Sequence, residues 1–382
     1  MAYKLSDVCD VRDGTHDSPT YVEVGYPLVT SKNIVDGKLD LSVVNYITEE
    51  DYHKINERSN VHMGDIIMPM IGTIGNPYLV EEYTDFAIKN VVLIKFNTGK
   101  VINKYIWYFL QSEAFARYVA SKNKGGTQKF LALGDIRNLE IPTKTIAEQE
   151  EIIQQLDGVT KIIDLRKQEL EVFDNLIKSR FVELFGDMTE NPNGWEVISL
   201  GNVCDVRDGT HDSPKYFTEG YPLVTSKNVT NGKIDFTDCS LICEEDYNKI
   251  NERSKVDYGD ILMPMIGTVG KPVIVDVEAE FAIKNVALIK VYEDSKVTNI
   301  FVKALLQSVY FDRVVISKIR GGTQKFIALG DIRKLEICLP PMETQKQFAV
   351  FVKQTDKLKF EVQKSLKETQ LLLDSLMQKY FE

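Results

Sequence analysis

The chain contains the same domain-sized stretch of sequence twice. VCDVRDGTHDSP occurs at residues 8–19 and again, unchanged, at residues 203–214. The motifs INERS, MPMIGT, FAIKNV and GGTQKF follow in the same order in both copies. This period is far longer than the roughly 20–50 residues of solenoid repeats. The sequence therefore predicts two independently folding copies, and two equal binding domains suit a ligand with two equal parts.

Composition places the chain among soluble globular proteins. Of its 382 residues, 43% are hydrophobic and 27% are charged, which is ordinary for globular domains. No apolar run approaches the roughly 20 residues of a membrane span. The start, MAYKLSDVCD, lacks the basic and then apolar plan of a signal peptide. We therefore expect a cytoplasmic protein without membrane contact.

The formal net charge of −10 speaks against a polyanionic partner, since phosphate neutralisation needs lysine and arginine. The charge is unevenly distributed, however. Residues 145–190 carry five basic and eleven acidic residues and contribute −6 of the total, so the two repeats are close to neutral. A near-neutral domain can still present local basic loops.

Four blocks follow each other along the chain. They are repeat one at residues 1–144, a helical stretch at residues 145–190, repeat two at residues 191–341 and a second helical stretch at residues 342–382. The turn cluster NPNG ends the first helix, and a proline pair precedes the second.

In both helical stretches apolar residues recur at alternating steps of three and four, the spacing of a coiled-coil seam. Arg166 is the single polar break in the first seam, and Thr355 and Thr369 are polar members of the second. A narrow seam suits one helix partner, so we predict an antiparallel pair; the alternative is that each helix packs on its own repeat. The apolar seam positions are Ile152, Leu156, Val159, Ile163, Leu170, Phe173, Ile177, Phe348, Phe351, Leu358, Val362, Leu366, Leu373, Leu376 and Tyr380.

Each repeat combines strand and helix signals and is predicted to be an α+β domain. Asn103 and Asn299 are plausible N-caps of one clear helix in each repeat, because apolar residues at helical spacing follow them. Segments rich in valine, isoleucine and phenylalanine favour strands. The predicted strands are residues 65–71, 86–96, 260–266 and 281–291.

The segment RDGTH occurs once in each repeat and combines a guanidinium, a turn glycine, a hydroxyl and an imidazole. These groups can hydrogen-bond base edges or phosphates, although a tight turn needs similar residues. RDGTH lies within VCDVRDGTHDSP, whose twelve positions are identical in both copies. This identity favours a function for the segment, and recent duplication is the other explanation. The predicted DNA contacts are Arg12, Thr15, His16, Arg207, Thr210 and His211.

The loops KNKGGTQK and KIRGGTQK are the most basic short segments of the repeats. Adjacent glycines let backbone N–H groups form an anion-binding concavity, and the flanking side chains add phosphate or base contacts. The alternative is a helix stop with cations near the helix C-terminus. The predicted DNA contacts are Lys124, Thr127, Gln128, Lys129, Arg320, Thr323, Gln324 and Lys325.

The motifs TSKN and IKN place a lysine beside an asparagine at or near a predicted strand. Asparagine can pair bidentately with adenine, and lysine can bind guanine or phosphate. An ordinary polar pair at a strand end is the alternative. The candidate residues are Lys32, Asn33, Lys89, Asn90, Lys227, Asn228, Lys284 and Asn285.

No catalytic constellation stands out. Asn76-Pro77-Tyr78 lacks one proline of the Asn-Pro-Pro-Tyr motif of DNA aminomethyltransferases, and repeat two has Lys271-Pro272-Val273 instead. The four histidines lack metal-binding spacing, and the five cysteines form neither a disulfide framework nor a zinc site. We predict a non-catalytic protein with reduced cysteines and no metal or cofactor of its own.

The ordered motifs resemble those of the specificity subunits of Type I restriction-modification systems. The resemblance rests on GGTQKF followed by ALGDIRNLEIP at residues 132–142 or ALGDIRKLEICLPPMETQ at residues 328–345, each leading into a long helix. NGWE at residues 193–196 also resembles the opening of a second recognition domain in such proteins. The resemblance covers essentially the whole chain.

The resemblance implies two mixed α/β target recognition domains joined by two long antiparallel coiled-coil helices with pseudo-twofold symmetry. Each domain would recognise one half of a bipartite site in double-stranded DNA. The implied partners are two adenine-methylating modification subunits, which use S-adenosylmethionine, and ATP-driven restriction or translocase subunits. Near-identity of the copies predicts an interrupted, nearly palindromic site. Repeat one begins almost at Met1, so its first strand is expected to be shorter.

Two other function classes remain open. A non-catalytic scaffold whose paired domains bind a symmetric protein partner would fit the acidic net charge. A DNA-binding arm of a fused restriction enzyme would require a catalytic segment, and none is recognisable in the sequence. Steep salt dependence of duplex binding separates DNA recognition from the scaffold.

Overall fold

The protein folds into two compact units, each of which contains one repeat. The computed structural model describes residues 2–72, 74–82, 85–122, 130–230, 232–265, 271–278, 280–315 and 327–382. Unit 1 consists of Met1–Lys167 and Lys364–Glu382, and unit 2 consists of Gln168–Gln363. Each unit therefore combines one repeat with parts of the two long helical stretches. The predicted α+β fold is confirmed.

Repeat one alternates short strands with short helices. Its helices are α1 (Leu5–Val8), α2 (Glu49–Ser59), α3 (Asn103–Phe109), α4 (Glu113–Lys122) and α5 (Leu133–Arg137), and a 3₁₀ turn spans Ser31–Asn33. Its strands are β1 (Ala2–Lys4), β2 (Asp10–Asp13), β3 (Tyr21–Val22), β4 (Tyr26–Val29), β5 (Ile34–Val35), β6 (Lys38–Leu39), β7 (Asn45–Ile47), β8 (Ile66–Pro69), β9 (Tyr78–Leu79), β10 (Ala87–Ile88), β11 (Val91–Lys95) and β12 (Glu140–Pro142). The long helix α6 (Ile146–Phe185) follows.

Two four-stranded sheets form the centre of repeat one. One has the order β2-β11-β8-β9, and the other has the order β10-β4-β7-β3 with β10 and β4 parallel. Strands β8 and β11 are buried on both faces, which explains their continuous apolar sequences. Alternate residues contribute to different cores: Met68 and Ile94 pack with the helices, whereas Ile67 and Leu93 pack with β4 and β10.

Repeat two follows the same plan. Its helices are α7 (Glu244–Ser254), α8 (Asn299–Leu305), α9 (Val309–Val314) and α10 (Leu329–Arg333), and a 3₁₀ turn spans Leu200–Asn202. Its strands are β13 (Val197–Ser199), β14 (Cys204–Asp208), β15 (Tyr221–Val224), β16 (Val229–Thr230), β17 (Lys233–Ile234), β18 (Ser240–Ile242), β19 (Ile261–Pro264), β20 (Val273–Ile274), β21 (Ala282–Ile283), β22 (Val286–Val291) and β23 (Glu336–Cys338). The second long helix, α11 (Met342–Phe381), follows.

The two long helices are antiparallel partners within each unit. In unit 1, Tyr380 of α11 donates to Gln155 Oε1 of α6 at 2.5 Å, and Arg166 donates to Ser365 O at 2.6 Å. In unit 2, the rings of Phe181 and Phe348 lie 5.6 Å apart. Early residues of one helix thus meet late residues of the other, and the predicted pairing is confirmed.

The polar break in the predicted seam has a partner. The Arg166 guanidinium also donates to Thr369 Oγ1, so two of the three polar seam residues that the sequence singled out satisfy each other. Leu358 is an error of the seam prediction, because 54% of its surface is exposed. Lys359 is the less exposed of the two and pairs with Asp174. Lys359 is four residues after the buried Thr355 and three before Val362, so it holds the regular seam position that the prediction had given to Leu358.

The long helices also pack on their own units, as the alternative interpretation proposed. Ile152 and Leu156 are buried in the core of repeat one, and Phe381 joins them there with its ring 5.3 Å from that of Tyr105. In unit 2, the Phe185 ring lies 5.0 Å from the Phe301 ring. Each helix therefore has both kinds of partner, since it pairs with the other helix and its ends also pack in a domain core.

Several details of the sequence prediction were wrong. The single helix predicted after Asn103 is divided into α3 and α4 because Ser112 interrupts it and accepts from the backbone of Phe115. Neither asparagine is an N-cap: the caps are Ile102 and Thr298, and the side chain of Asn103 instead donates to Gly64 O at 2.9 Å. In the described residues, β1 is as long as β13, so the first strand is not shortened.

A buried glutamine joins the start of each long helix to its repeat. The amide of Gln149, which is 1% exposed, accepts from Ile102 N and donates to the carbonyl oxygens of Lys100 and Lys144 at 2.8–3.2 Å. Gln345 makes the equivalent three bonds in unit 2. Because every polar atom of the amide is used, this joint fixes the direction in which the helix leaves the domain.

Replacing Gln149 by leucine removes these three hydrogen bonds and leaves their backbone partners unsatisfied. Since an unsatisfied buried group costs about 1–3 kcal/mol, we expect Gln149→Leu to lower the free energy of unfolding of unit 1 by about 2–4 kcal/mol. Urea denaturation measures the change. Gln154→Leu, at an exposed position of the same helix, is the control. Equal stability of the two variants would contradict this role of Gln149.

Candidate nucleic-acid interface

The RDGTH segment of repeat one passes directly from β2 across the junction of the two sheets. Thr15 forms a parallel β-bridge with Lys89 immediately after β2 ends. A Cβ atom on Gly14 would lie 2.4 Å from Ile88 O, so only glycine fits at this close approach. Gly209 has the same restriction in repeat two. The glycine of the motif is therefore required by the fold.

The IKN motif is the crossing between the two sheets. The sequence predicted one strand over residues 86–96, but the structure divides it into β10 and β11, which belong to different sheets. The chain turns at Asn90, whose φ of 55° lies in the left-handed region that asparagine tolerates. Asn285 repeats this turn with the same φ.

The TSKN motif lies beside this crossing, because Lys89 N donates to Val29 O at 2.9 Å. Thus RDGTH, TSKN and IKN meet at one end of the sheets, and the corresponding bonds of Lys284 and Thr210 bring them together in repeat two as well. The sequence predicted these motifs separately and gave no sign that they share one surface.

His16 has both ring nitrogens engaged within the protein. Nδ1 lies 2.8 Å from Asn90 Oδ1, and Nε2 lies 2.9 Å from Asp13 Oδ2. The bond to Asn90 and then that to Asp13 raise the pKa of His16, and Asn285 and Asp208 raise the pKa of His211 in the same order. These bonds favour the imidazolium form and use both nitrogens to hold the loop, while 60% of the side chain remains exposed.

Arg58 completes this site and was missed as a candidate residue. It stands at the end of α2, donates to Asp13 Oδ1, and leaves 68% of its side chain exposed. The helix is held in place by Tyr52, whose ring stacks 3.9 Å from that of Tyr26. The signal in the sequence was the repeated INERS motif, which was noticed only as evidence of duplication.

We name this group the arginine–histidine cluster. In repeat one Arg12 links two parts of the cluster. Its Nε donates to Asp10 Oδ2 at 2.9 Å, and its Nη1 donates to the carbonyl oxygen of Arg58 at 2.8 Å. The cluster consists of Arg12, Asp13, His16, Arg58 and Asn90 in repeat one and of Arg207, Asp208, His211, Arg253 and Asn285 in repeat two.

The cluster of repeat two opens into a concavity of about 440 Å³. Arg207, Arg253 and Arg333 line it together with Asp208 and Glu252. Arg333 is anchored by Val206 O at 2.6 Å, and Arg253 leaves 64% of its side chain exposed. Three guanidinium groups thus line this concavity, and their charge is balanced by Asp208, Glu252 and Asp205, which pairs with Arg207.

The asparagines of TSKN form hydrogen bonds within their own loops. Asn33 is 4% exposed, its Oδ1 accepts from Thr30, and its Nδ2 donates to the carbonyl oxygens of Asp40 and Val43. Asn228 is buried in the same way. In this conformation neither amide faces a ligand. The adjacent Lys32 and Lys227 are exposed, so any DNA contact of this motif falls to the lysines.

The remaining candidates divide into two groups. Lys89 and Lys284 reach the serines of the RDGTH loops, at 3.5 Å from Ser18 and 2.7 Å from Ser213. The candidates on the GGTQK loops lie outside the described residues: Lys124, Thr127, Gln128, Lys129, Arg320, Thr323, Gln324 and Lys325.

Two absences apply to the described part of the chain. Its His, Cys, Asp and Glu side chains form no group of three that could hold a metal ion. In the same residues, no helix has the length and hydropathy to span a bilayer.

Comparison with known proteins gives one consistent family. The family model for the Type I restriction modification DNA specificity domain matches residues 1–173 and 192–371. The type I restriction enzyme MjaVIII specificity subunit of Methanocaldococcus jannaschii is 23% identical over 90% of this chain and 82% of its own length. The EcoKI specificity subunit of Escherichia coli strain K12 is 21% identical over 93% of this chain and 81% of its own length.

Solved structures support the fold. The S subunit of a Type I restriction-modification system from M. genitalium superposes with a TM-score of 0.54 at 15% identity and covers 100% of this chain and 96% of its own. A chain from a structural study of assembly and conformational transition in the type I R-M system gives a TM-score of 0.56 at 19% identity, covering 100% of this chain and 97% of its own.

The bonds of His16 predict a titration shift that can be measured residue by residue. Because the folded protein favours the imidazolium, this group stabilises the fold below the unfolded-state pKa, and the contribution is lost as pH rises through the raised folded pKa. We expect Asp13→Asn to lower the pKa of His16 and to leave that of His211 unchanged in an NMR titration. A pKa of His16 that does not move would contradict the proposed contact.

Proposed function

Because the chain belongs to the family of the Type I restriction modification DNA specificity domain, we propose that its two repeats each bind one half of a bipartite DNA site. The chain is the DNA specificity subunit of a restriction-modification complex. The observation that carries the proposal is that RDGTH, TSKN and IKN meet at one end of the sheets in each unit. There RDGTH and IKN form the arginine–histidine cluster together with Arg58 or Arg253.

The exposed guanidinium groups are the proposed base or phosphate contacts. Arg58 and Arg253 are oriented by an aspartate and leave most of the side chain in solvent. An arginine held in this way forms bidentate bonds to guanine or phosphate with little further loss of side-chain entropy. Asp13 and Asp208 then act by positioning the arginines, and contacts from Lys32, Lys89, Lys227 and Lys284 would add backbone affinity.

The long helices are proposed to set the distance between the half-sites. Each has 40 residues, and at 1.5 Å per residue such a helix is ~60 Å long. One turn of B-DNA rises ~34 Å. Domains at opposite ends of such rods could reach half-sites more than one turn apart. The pseudo-twofold relation of the repeats and the four domain boundaries given above remain predictions.

Near-identity of the two clusters supports an interrupted, nearly palindromic target. Five equivalent residues of identical type make corresponding bonds in both repeats. Two nearby sequence differences would allow the half-sites to differ. Asn60 of repeat one corresponds to Lys255 of repeat two, and His62 corresponds to Asp257. His62 and Asp257 contact the equivalent lysines, Lys95 and Lys290.

The proposed partners are double-stranded DNA, two modification subunits that methylate adenine, and restriction or translocase subunits. Methylation would then use S-adenosylmethionine, and translocation ATP, in the partner subunits. The chain itself is proposed to catalyse no reaction and to act in the cytoplasm. The paired-domain scaffold is not favoured, because the relatives are named as restriction enzyme specificity subunits.

Arginine substitutions test the proposal in the complex with the modification subunits. Arg58→Ala and Arg253→Ala should each weaken binding to the target duplex by about 1–3 kcal/mol, or roughly 5- to 150-fold. The two factors should be similar, because the clusters are alike. If the arginine binds phosphate, the dependence of the binding constant on salt should also become less steep by about one unit.

Fluorescence anisotropy at several salt concentrations measures both quantities. Lys178→Ala, which removes a cation from an exposed position of α6, is the control and should leave affinity nearly unchanged. Wild-type affinity in both arginine variants would contradict the assignment of the clusters. Failure of the wild-type complex to bind any duplex would contradict the proposed function itself.

A further inference from the structure

Each repeat contains an arginine that was not among the predicted DNA contacts. Arg137 in unit 1 and Arg333 in unit 2 are the last residues of the short helices α5 and α10, and both are exposed. Both belong to the sequence LGDIR, which the two repeats share. Ile136 and Ile332, their neighbours in the chain, are fully buried and hold the helices on the domain cores. Each arginine therefore starts from a fixed point of the fold.

The two arginines cover the outer edge of the sheet in each unit. Strand β14 is an edge strand, and Gly209 N donates to β22, so the alternation of an antiparallel pair directs the carbonyl group of Val206 away from the sheet. Arg333 donates to this carbonyl oxygen from Nε at 3.0 Å and from Nη2 at 2.6 Å. In unit 1, Arg137 donates to Val11 O in the same way at 3.1 and 2.8 Å.

These arginines differ from those of the arginine–histidine cluster in their direct partners. Arg58 and Arg253 each pair with an aspartate. Arg137 and Arg333 form no ion pair within the described residues, which include every aspartate and glutamate of the chain. Their anchor is a neutral carbonyl group that uses two of the five N–H groups of a guanidinium. The outer edge of the guanidinium, formed by Nη1 and Nη2, thus keeps its charge and its remaining donors for a ligand.

The concavity of unit 2 places Arg333 beside the proposed recognition surface, because Arg253 lines it as well. The carboxylate of Asp208 is already bonded there, with Oδ1 to Arg253 and Oδ2 to His211. Glu252 is the remaining acidic residue of the lining and is exposed. A negatively charged ligand can therefore meet the guanidinium of Arg333 directly, and Glu252 is the group that opposes it.

We propose that Arg137 and Arg333 bind backbone phosphates of the DNA, whereas Arg58 and Arg253 contact base edges. This inference rests on the proposed function and assigns the arginines of each unit to two kinds of contact. A phosphate gains most from a guanidinium whose charge no carboxylate offsets. Base edges are neutral, so an arginine already paired with aspartate recognises them by the geometry of its hydrogen bonds.

Alanine variants separate the two kinds of contact in the complex with the modification subunits. Arg137→Ala and Arg333→Ala should each weaken binding about 5- to 10-fold at 0.1 M salt, and equally for a duplex with the methylated motif and for a scrambled duplex. Each should make the salt dependence less steep by about one unit, and the double variant by about two. Arg253→Ala should instead weaken binding of the motif duplex more than that of the scrambled duplex.

Two further variants distinguish a phosphate contact from a structural role of the carbonyl bond. Arg333→Lys keeps the charge and should keep the salt dependence of the wild type, although it loses the paired bonds to Val206 O. Glu252→Gln removes the opposing charge and should strengthen binding about 2- to 5-fold. Lys296→Ala and Glu244→Gln change exposed charges elsewhere in unit 2 and should leave affinity nearly unchanged.

Fluorescence anisotropy over a range of salt concentrations measures all of these quantities. An unchanged salt dependence in Arg137→Ala and Arg333→Ala would overturn the inference, as would a loss confined to the motif duplex. A lysine variant that behaves like the alanine variant would assign Arg333 a structural role instead. In each of these cases the wild-type complex still binds DNA, so the proposed function stands; absence of any duplex binding by the wild type would overturn both.

Discussion

The proposed recognition surface of each repeat depends on a two-residue crossing between its sheets. At Lys89 and Asn90 the chain leaves a parallel pairing with β4 and enters the antiparallel sheet of β2, β11, β8 and β9. The left-handed backbone of Asn90 makes this possible within two residues and turns its amide towards His16. A longer connection would separate RDGTH from TSKN. The same crossing at Lys284 and Asn285 explains why the two surfaces are built alike.

Each unit has its own copy of this surface, and the two units differ elsewhere. Arg166 bonds Thr369 in the helix pair of unit 1, whereas the equivalent positions of unit 2 hold Phe173 and Val362. A polar pair at one seam position is a known means of fixing the register of paired helices.

Much of this organisation could be predicted from the sequence, because duplication and helical periodicity are signals in the order of residues. The repeats, the long helices and their pairing follow from such signals. The burial of Asn33 could not be predicted, since it depends on carbonyl groups seven and ten residues away. Arg58 was missed because its partner Asp13 is 45 residues distant. Leu358 was a different kind of error, because apolar character was preferred to the regular spacing, which assigns the seam position to Lys359 and its ion pair with Asp174.

The central claim is that two equivalent clusters at the sheet junctions recognise two equivalent stretches of DNA. Sequencing of methylated bases in DNA from cells that express this chain with its modification subunits tests it most directly. The account predicts an interrupted motif whose halves repeat nearly the same bases on opposite strands, with modified adenines in both. A motif with two unrelated halves, or one continuous motif, would contradict it.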